Sequence, residues 1–328
     1  MSRGLLISML LLGVGALGWG IYNRLGDYRP PISLEPEGRV DTASGSVSIP
    51  VKENLPKRET TPTRSQAVFA LASKPNDFDN LSSAVFRVVV PDDSVGLAER
   101  SAALSALSRF LSPDDRDALY AFLLDKDRVP HLNSVQRRVL VNDVMKTLRL
   151  QQDDTLALSE VFSAVYADQA EDVVIRDYAL QHLGSWLERP VYDEAGVFVL
   201  WQAVQEREST LAGTAILSLM RVARVHPYVD LAAVADAAER MAGDPRIATA
   251  SRITALSLSA ELGGTGVLST ARGIARDSRI VGLQAAAVSL VGKLGNRNDL
   301  PLLLAMVEDE TILCKPAVRE AIQRLQRL

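Results

Sequence analysis

Beyond residue 80 the apolar positions recur with the period of a helix, and the helices themselves recur. An Arg-like position is followed three residues later by a small residue, then by apolar residues seven and ten later. The small positions are Ala103, Val141, Ala179, Ala215, Ala255, Ala287 and Ala321. Their spacings of 38, 38, 36, 40, 32 and 34 residues suit two-helix repeats. Four residues after each small position stand Leu107, Met145, Leu183, Leu219, Ser259, Val291 and Leu325, and seven after it Phe110, Leu148, Trp186, Val222, Leu262, Leu294 and Leu328. Offsets of four and seven place these residues on one helix face. A small side chain at the crossing point lets a partner helix approach closely. Only Ser259 interrupts the apolar character.

A second amphipathic stretch precedes most of these helices: Asp115–Leu124, Thr155–Tyr166, Ala195–Val204, Leu231–Met241, Val267–Ala275 and Leu300–Val307. Turn residues separate the units, among them Pro113, Pro130, Pro190, Pro227, Pro245 and Asn296 to Asn298. In the opening unit Leu81–Val90 reads as a helix, with a strand as the alternative because Val88, Val89 and Val90 are consecutive. The pattern predicts an all-α chain: an α-solenoid of about seven two-helix repeats over 78–328, preceded by an apolar N-terminal helix (1–25) and a disordered linker (26–77).

The repeated residues resemble the HEAT-repeat family at Ile175, Arg176, Ala179, Leu183 and Gly184, at Arg252, Ala255, Leu262 and Gly263, and at Ala287, Gly292, Leu294 and Gly295. The resemblance spans most of residues 80–328. It implies that the Arg of a second helix bonds to an Asp in the preceding turn: Arg100 with Asp93, Arg176 with Asp172, Arg252 with Asp244. Ala212, Gln284 and Val318 replace Arg in other copies and would interrupt such a ladder. It also implies a curved binding surface. The His-Glu pairs of iron-binding HEAT-like hydroxylases are not seen in this sequence.

No charged residue occurs from Gly4 to Tyr22. A spanning helix needs about 20 mostly apolar residues, so an uncleaved membrane anchor is expected. A cleaved signal peptide ending near Ala16 to Gly18 and a buried soluble helix are the alternatives. Arg3 on one side nearly balances Arg24 and Arg29 on the other, and the repeat domain is placed outside the cytoplasm, either anchored or released after cleavage. The prolines from Pro30 to Pro75 lie among polar residues that cannot bury enough surface to offset chain entropy.

Composition then removes several functions. A net charge of -4 with mixed signs gives no basic footprint for nucleic acid. The single Cys314 excludes an intramolecular disulfide and reads as a small apolar residue in a turn. His131, His182 and His226 stand in no metal-ligand spacing. Asp114 with Asp115, and Asp153 with Asp154, precede helices, where carboxylates cap free N–H groups. Trp186 and Trp201 fall on apolar faces. No phosphate loop, catalytic set, cofactor site or small-molecule substrate is indicated.

The expectation is therefore a non-enzymatic protein-binding scaffold, tethered at a membrane through residues 4–22, that presents a helical groove to a protein or peptide partner. A HEAT-like enzyme of glycosylase or lyase type with an unidentified site, or a structural spacer, is the alternative. Five residues after each Arg-like site stand Ser105, Asp143, Gln181, Leu217, Ser257, Ser289 and Gln323. Six of the seven are polar among apolar neighbours and so should line the surface of the second helices. Asp143, Gln181, Leu217 and Ser257 are the candidate partner-binding groove.

Overall fold

A computed structural model describes residues 80–328, apart from residues 108, 127–131, 152–155 and 191. Among the described residues every regular element is helical. The helices are α1 (Ser83–Val89), α2 (Leu97–Ser105), α3 (Pro113–Leu124), α4 (Ser134–Arg149), α5 (Leu156–Ala167), α6 (Val173–Leu187) and α7 (Glu194–Ala203). Then follow α8 (Leu211–Val225), α9 (Leu231–Gly243), α10 (Thr249–Leu262), α11 (Leu268–Asp277), α12 (Val281–Leu294), α13 (Leu300–Glu308) and α14 (Lys315–Gln326). The valine run at 88–90 closes a helix and not a strand, because Ser82 caps its first turn by accepting from the Val85 N–H.

Each odd-numbered helix packs on the even-numbered helix that follows it, and the even helices pack in succession from α2 to α14. The odd helices pack on one another from α1 to α7. The small-residue column lies where the even helices meet: Val141, Ala179, Ala215, Ala255, Ala287 and Ala321 are all buried. So are Met145, Leu183, Leu219, Val291 and Leu325 four residues on, while Ser259 is buried with its hydroxyl unbonded among the described residues. The apolar reading fails at Phe110 and Leu328, which are exposed. Both lie past the end of their helix, where helical periodicity no longer fixes direction.

Glycines bring three of these crossings closer still. A Cβ at Gly292 would lie 2.5 Å from the Ala321 Cβ and 2.7 Å from its Cα, a Cβ at Gly213 would lie 3.0 Å from the Ser251 Cα, and one at Gly184 would overlap the Ser218 side chain.

The Arg-like column does something other than the Arg–Asp ladder implied by the family resemblance. Arg176 Nε donates to the Tyr166 carbonyl at 2.7 Å, Arg252 Nε to Ala242 at 3.2 Å, and Gln284 Nε2 to Ala275 at 3.0 Å. Arg100, fully buried, donates to the carbonyls of Arg87, Val88, Val90, Asp92 and Val95. In each case the acceptors include carbonyls at the C-terminal end of the preceding odd helix, which have no partner inside that helix and carry its negative dipole end. Gln284 therefore continues the column. Asp172 is taken instead by Arg138 of the previous pair, at 3.0 Å from Nε, and the adjacent Glu171 accepts both guanidinium nitrogens of Arg137 at 2.7 and 2.6 Å. Asp244 pairs with Arg246. Cys314 is buried and its thiol contacts Gln284 Oε1 at 3.3 Å, which fits the apolar reading made from sequence.

The membrane placement expected from sequence is corrected. No helix among the described residues is long and apolar enough to cross a bilayer. The longest of them, α4, has 16 residues and carries Arg137, Arg138, Asp143, Lys146 and Arg149, short of the roughly 20 apolar residues a crossing requires. The segment 4–22 lies outside the described residues, as do the linker 26–77 and His131.

Two substitutions test the packing. Ala179→Asp and Ala255→Asp each bury an unpaired carboxylate and should cost about 3 kcal/mol or more, whereas Gln181→Asp, at an exposed site, should change the melting temperature little. Gly292→Ala improves intrinsic helix propensity by roughly 1 kcal/mol but forces α12 from α14, so it should lower stability. Equal or higher melting temperatures for these core variants would refute the close crossing.

Candidate functional site

Asp143, Gln181, Leu217 and Ser257 stand at one register on α4, α6, α8 and α10, which pack consecutively, so they run along one face of the even helices. Gln181 and Ser257 are exposed, and Asp143 and Leu217 half-buried. Their polar groups are used close by. Asp143 accepts the Ser101 hydroxyl of α2 at 3.0 Å, Gln181 Nε2 donates to Asp177 at 3.3 Å, and the Ser257 hydroxyl returns to the Ile253 carbonyl at 3.0 Å. Leu217 packs against the core.

Asp177, which sequence reasoning passed over, is the more unusual member of this face. Its Oδ2 accepts from Gln181, its carboxyl bonds to Thr214 of the adjacent α8, and its Oδ1 is buried with no hydrogen-bond partner among the described residues. Burial raises its pKa against the lowering influence of those two hydrogen bonds. A sequence signal existed. At the same offset in the other even helices stand Ser101, Val139, Gly213, Ile253, Ala285 and Arg319, so Asp177 is the only carboxylate in that column.

One turn further along α6, His182 bridges to α4. Arg149 Nε donates to its Nδ1 at 3.2 Å, which leaves the ring proton on Nε2 to reach Asn142 Oδ1 at 3.1 Å. Its ring lies 5.9 Å from that of Phe162. Burial, with the positive charges of Arg149 and Lys146, pushes the imidazole down to about 4. Both nitrogens are satisfied in the neutral form, so His182 ties α6 to α4. Glu188, at the end of α6, is raised by burial despite Arg221 and Arg149. Arg189 caps the carbonyls of Arg149 and Gln151.

At the turn between α7 and α8, Gln202, Gln205, Glu206, Arg207 and Glu208 line an open depression of about 420 Å³. Glu206 Oε1 there accepts from the Tyr166 hydroxyl at 3.2 Å and Arg176 at 3.1 Å. Burial, then the Glu206 charge, raises the Tyr166 phenol to about 12. This cluster ties the Arg-like column to the turn. Among the described residues no group of three or more His, Cys, Asp or Glu side chains is placed to hold a metal ion.

No family model and no curated protein matches the chain. Among solved structures, human deoxyhypusine hydroxylase in complex with glycerol is similar at 14% identity and a TM-score of 0.34, over 80% of this chain and 97% of that one. The expectations of a non-enzymatic scaffold, and of no enzyme, are corrected at this point: the similar structure is that of an enzyme. A likeness at that TM-score assigns no activity to this chain.

The His182 bridge predicts a pH dependence. The folded-state pKa of about 4 lies below the ordinary 6.5, so the unfolded chain binds more protons between these values. The contribution of neutral His182 is complete above pH 6.5 and is lost as pH falls toward 4. Urea unfolding at pH 7.5 and 5 should show the wild type losing stability on acidification, and His182→Gln losing less. Parallel losses in both proteins would assign the acid sensitivity elsewhere.

Proposed function

We propose that the helix pairs form an α-solenoid of HEAT type and that the protein acts on a molecule bound at the face of α4, α6 and α8, with Asp177 as the group that exchanges a proton with it. This is the enzyme-type reading. Support for the solenoid comes from the 32- to 40-residue recurrence, the pairwise packing and the Arg/Gln column that closes the odd helices. The even helices would be its working side, with Asp143, Gln181, Leu217 and Ser257 as the surface around Asp177.

A single observation carries the functional part. Asp177 keeps one carboxyl oxygen buried and unbonded while Gln181 and Thr214 hold the group in place. An unpaired buried carboxylate is costly, and such a group calls for a reason for its retention. A carboxyl raised toward neutrality can both donate and accept a proton, the common requirement of hydrolytic and eliminating reactions. The ligand chemistry that fits is a neutral, hydrogen-bonding molecule that meets the Asp177 carboxyl from the even-helix face.

Such a site carries a stability signature. The folded pKa of Asp177 is raised, so its contribution to stability declines as pH rises from the ordinary carboxylate range through the folded value. Asp177→Asn should therefore be at least as stable as wild type at pH 8 while losing ligand response. The measurement is a fragment titration of the full chain, followed by amide chemical shifts at pH 5.5 and pH 8. Shifts centred on residues 143, 177, 181 and 214, with a pH dependence that Asp177→Asn abolishes, are expected. Binding confined to other surfaces, or an unchanged pH profile in the variant, would overturn the proposal.

A further inference from the structure

A second surface, independent of Asp177, lies where the N-terminus of α7 meets the loop between α8 and α9. Tyr192 and Tyr228 contact edge to face with ring centroids 4.8 Å apart, and the His226 ring lies 5.1 Å from that of Tyr228. Tyr192 is 64% exposed and Tyr228 38%. Phe198, 60% exposed, stands four residues after Glu194 on α7, hence on the same helix face as that carboxylate. Exposed aromatic rings in mutual contact lose little conformational entropy on binding and supply large contact areas.

The polar tips hold the rings in place. The Tyr192 hydroxyl donates to Glu194 at 3.3 Å, and Tyr228 is hydrogen-bonded by the Asp193 backbone. Asp193 is itself anchored: it caps α7 through the Gly196 N–H and accepts the Ser159 hydroxyl. Neither Asp193 nor Glu194 forms an ion pair with a described residue. Their charge lies beside two tyrosine rings. Consistent with that field, the Glu194 charge raises the Tyr192 phenol, and burial followed by Asp193 raises that of Tyr228. The Nε2 atom of His226 is buried with no hydrogen-bond partner among the described residues.

We propose that Tyr192, Tyr228, Phe198 and the carboxylates Asp193 and Glu194 form a docking surface for an arginine-bearing segment of a partner protein. Charge complementarity selects the occupant. Aromatic faces attract cations, and a guanidinium can stack on a ring while its N–H fork reaches a carboxylate. An acidic segment would meet repulsion, and a purely apolar one would leave the exposed Glu194 carboxylate without a cation.

The test uses the full chain labelled with 3-fluorotyrosine and titrated with acetyl-Gly-Arg-Gly-Arg-Gly-amide, observed by fluorine NMR. Tyr192→Leu and Tyr228→Leu spectra assign the two resonances. Both signals should shift saturably with the arginine peptide, and replacing Arg by neutral citrulline should weaken binding about tenfold, the scale of a lost cation–aromatic contact. Tyr192→Leu and Glu194→Gln, both at exposed positions, should each weaken it about fivefold, with melting temperatures unchanged. Absence of a saturable shift, equal affinity for the citrulline peptide, or undiminished binding by both variants would overturn the proposal. None of these outcomes depends on Asp177.

Discussion

The close approach of successive even-numbered helices is the constraint on which the rest of the molecule depends. A pair of helices buries only the stripe between them, so each pair needs the next to cover its remaining apolar face. Ala179, Ala215, Ala255, Ala287 and Ala321 are buried on these helices, and at Gly184, Gly213 and Gly292 a larger side chain would meet the next even helix. Helix axes come within reach only if the side chains at the crossing are small. Spacing along the stack is thus written in the smallest residues, while larger Leu, Met and Trp side chains fill the core around them.

Closing the odd helices is a second requirement, met by a different chemistry. A helix that ends against a packed neighbour leaves carbonyls that water cannot reach freely. Arg100, Arg176, Arg252 and Gln284 reach across from the even helix to satisfy them. The guanidinium is valuable here for its several donors more than for its charge, and this explains why an uncharged Gln serves at one position. In the pair of α5 and α6 the same Arg176 also holds Glu206 and stacks over Tyr166 at 5.2 Å. A structural device thereby fixes the orientation of groups at the α7–α8 turn.

Functional candidates occupy places these two requirements do not claim. Asp177 lies on the even-helix surface but breaks the rule that buried polar groups are paired. Tyr192 and Tyr228 lie at a turn, outside both the crossing column and the capping column, with exposed rings and carboxylates beside them. Asp177 sits on a helix braced by its neighbours, and the tyrosines are held by Glu194 and the Asp193 backbone.

The helices, their pairing and the small-residue register were legible in the sequence because they follow from local periodicity and from a pattern repeated seven times along the chain. Ala179 or Ala287 can be assigned to the core from its column alone. The destinations of the polar side chains were not legible. Arg176 and Asp172 are four residues apart, yet Arg176 turns to a carbonyl of α5 and Asp172 to Arg138 of α4. Likewise Gln181 and Asp143 read as free surface positions but bond to Asp177 and Ser101. Tyr192 and Tyr228 each stand 13 residues after a small position, Ala179 and Ala215, but that spacing does not show that their rings touch. The sequence by itself determined which faces are apolar, since burial depends on residue type and spacing. Tertiary structure alone decided which donors meet which acceptors, since a hydrogen bond depends on where two distant segments place their atoms within a few tenths of an ångström.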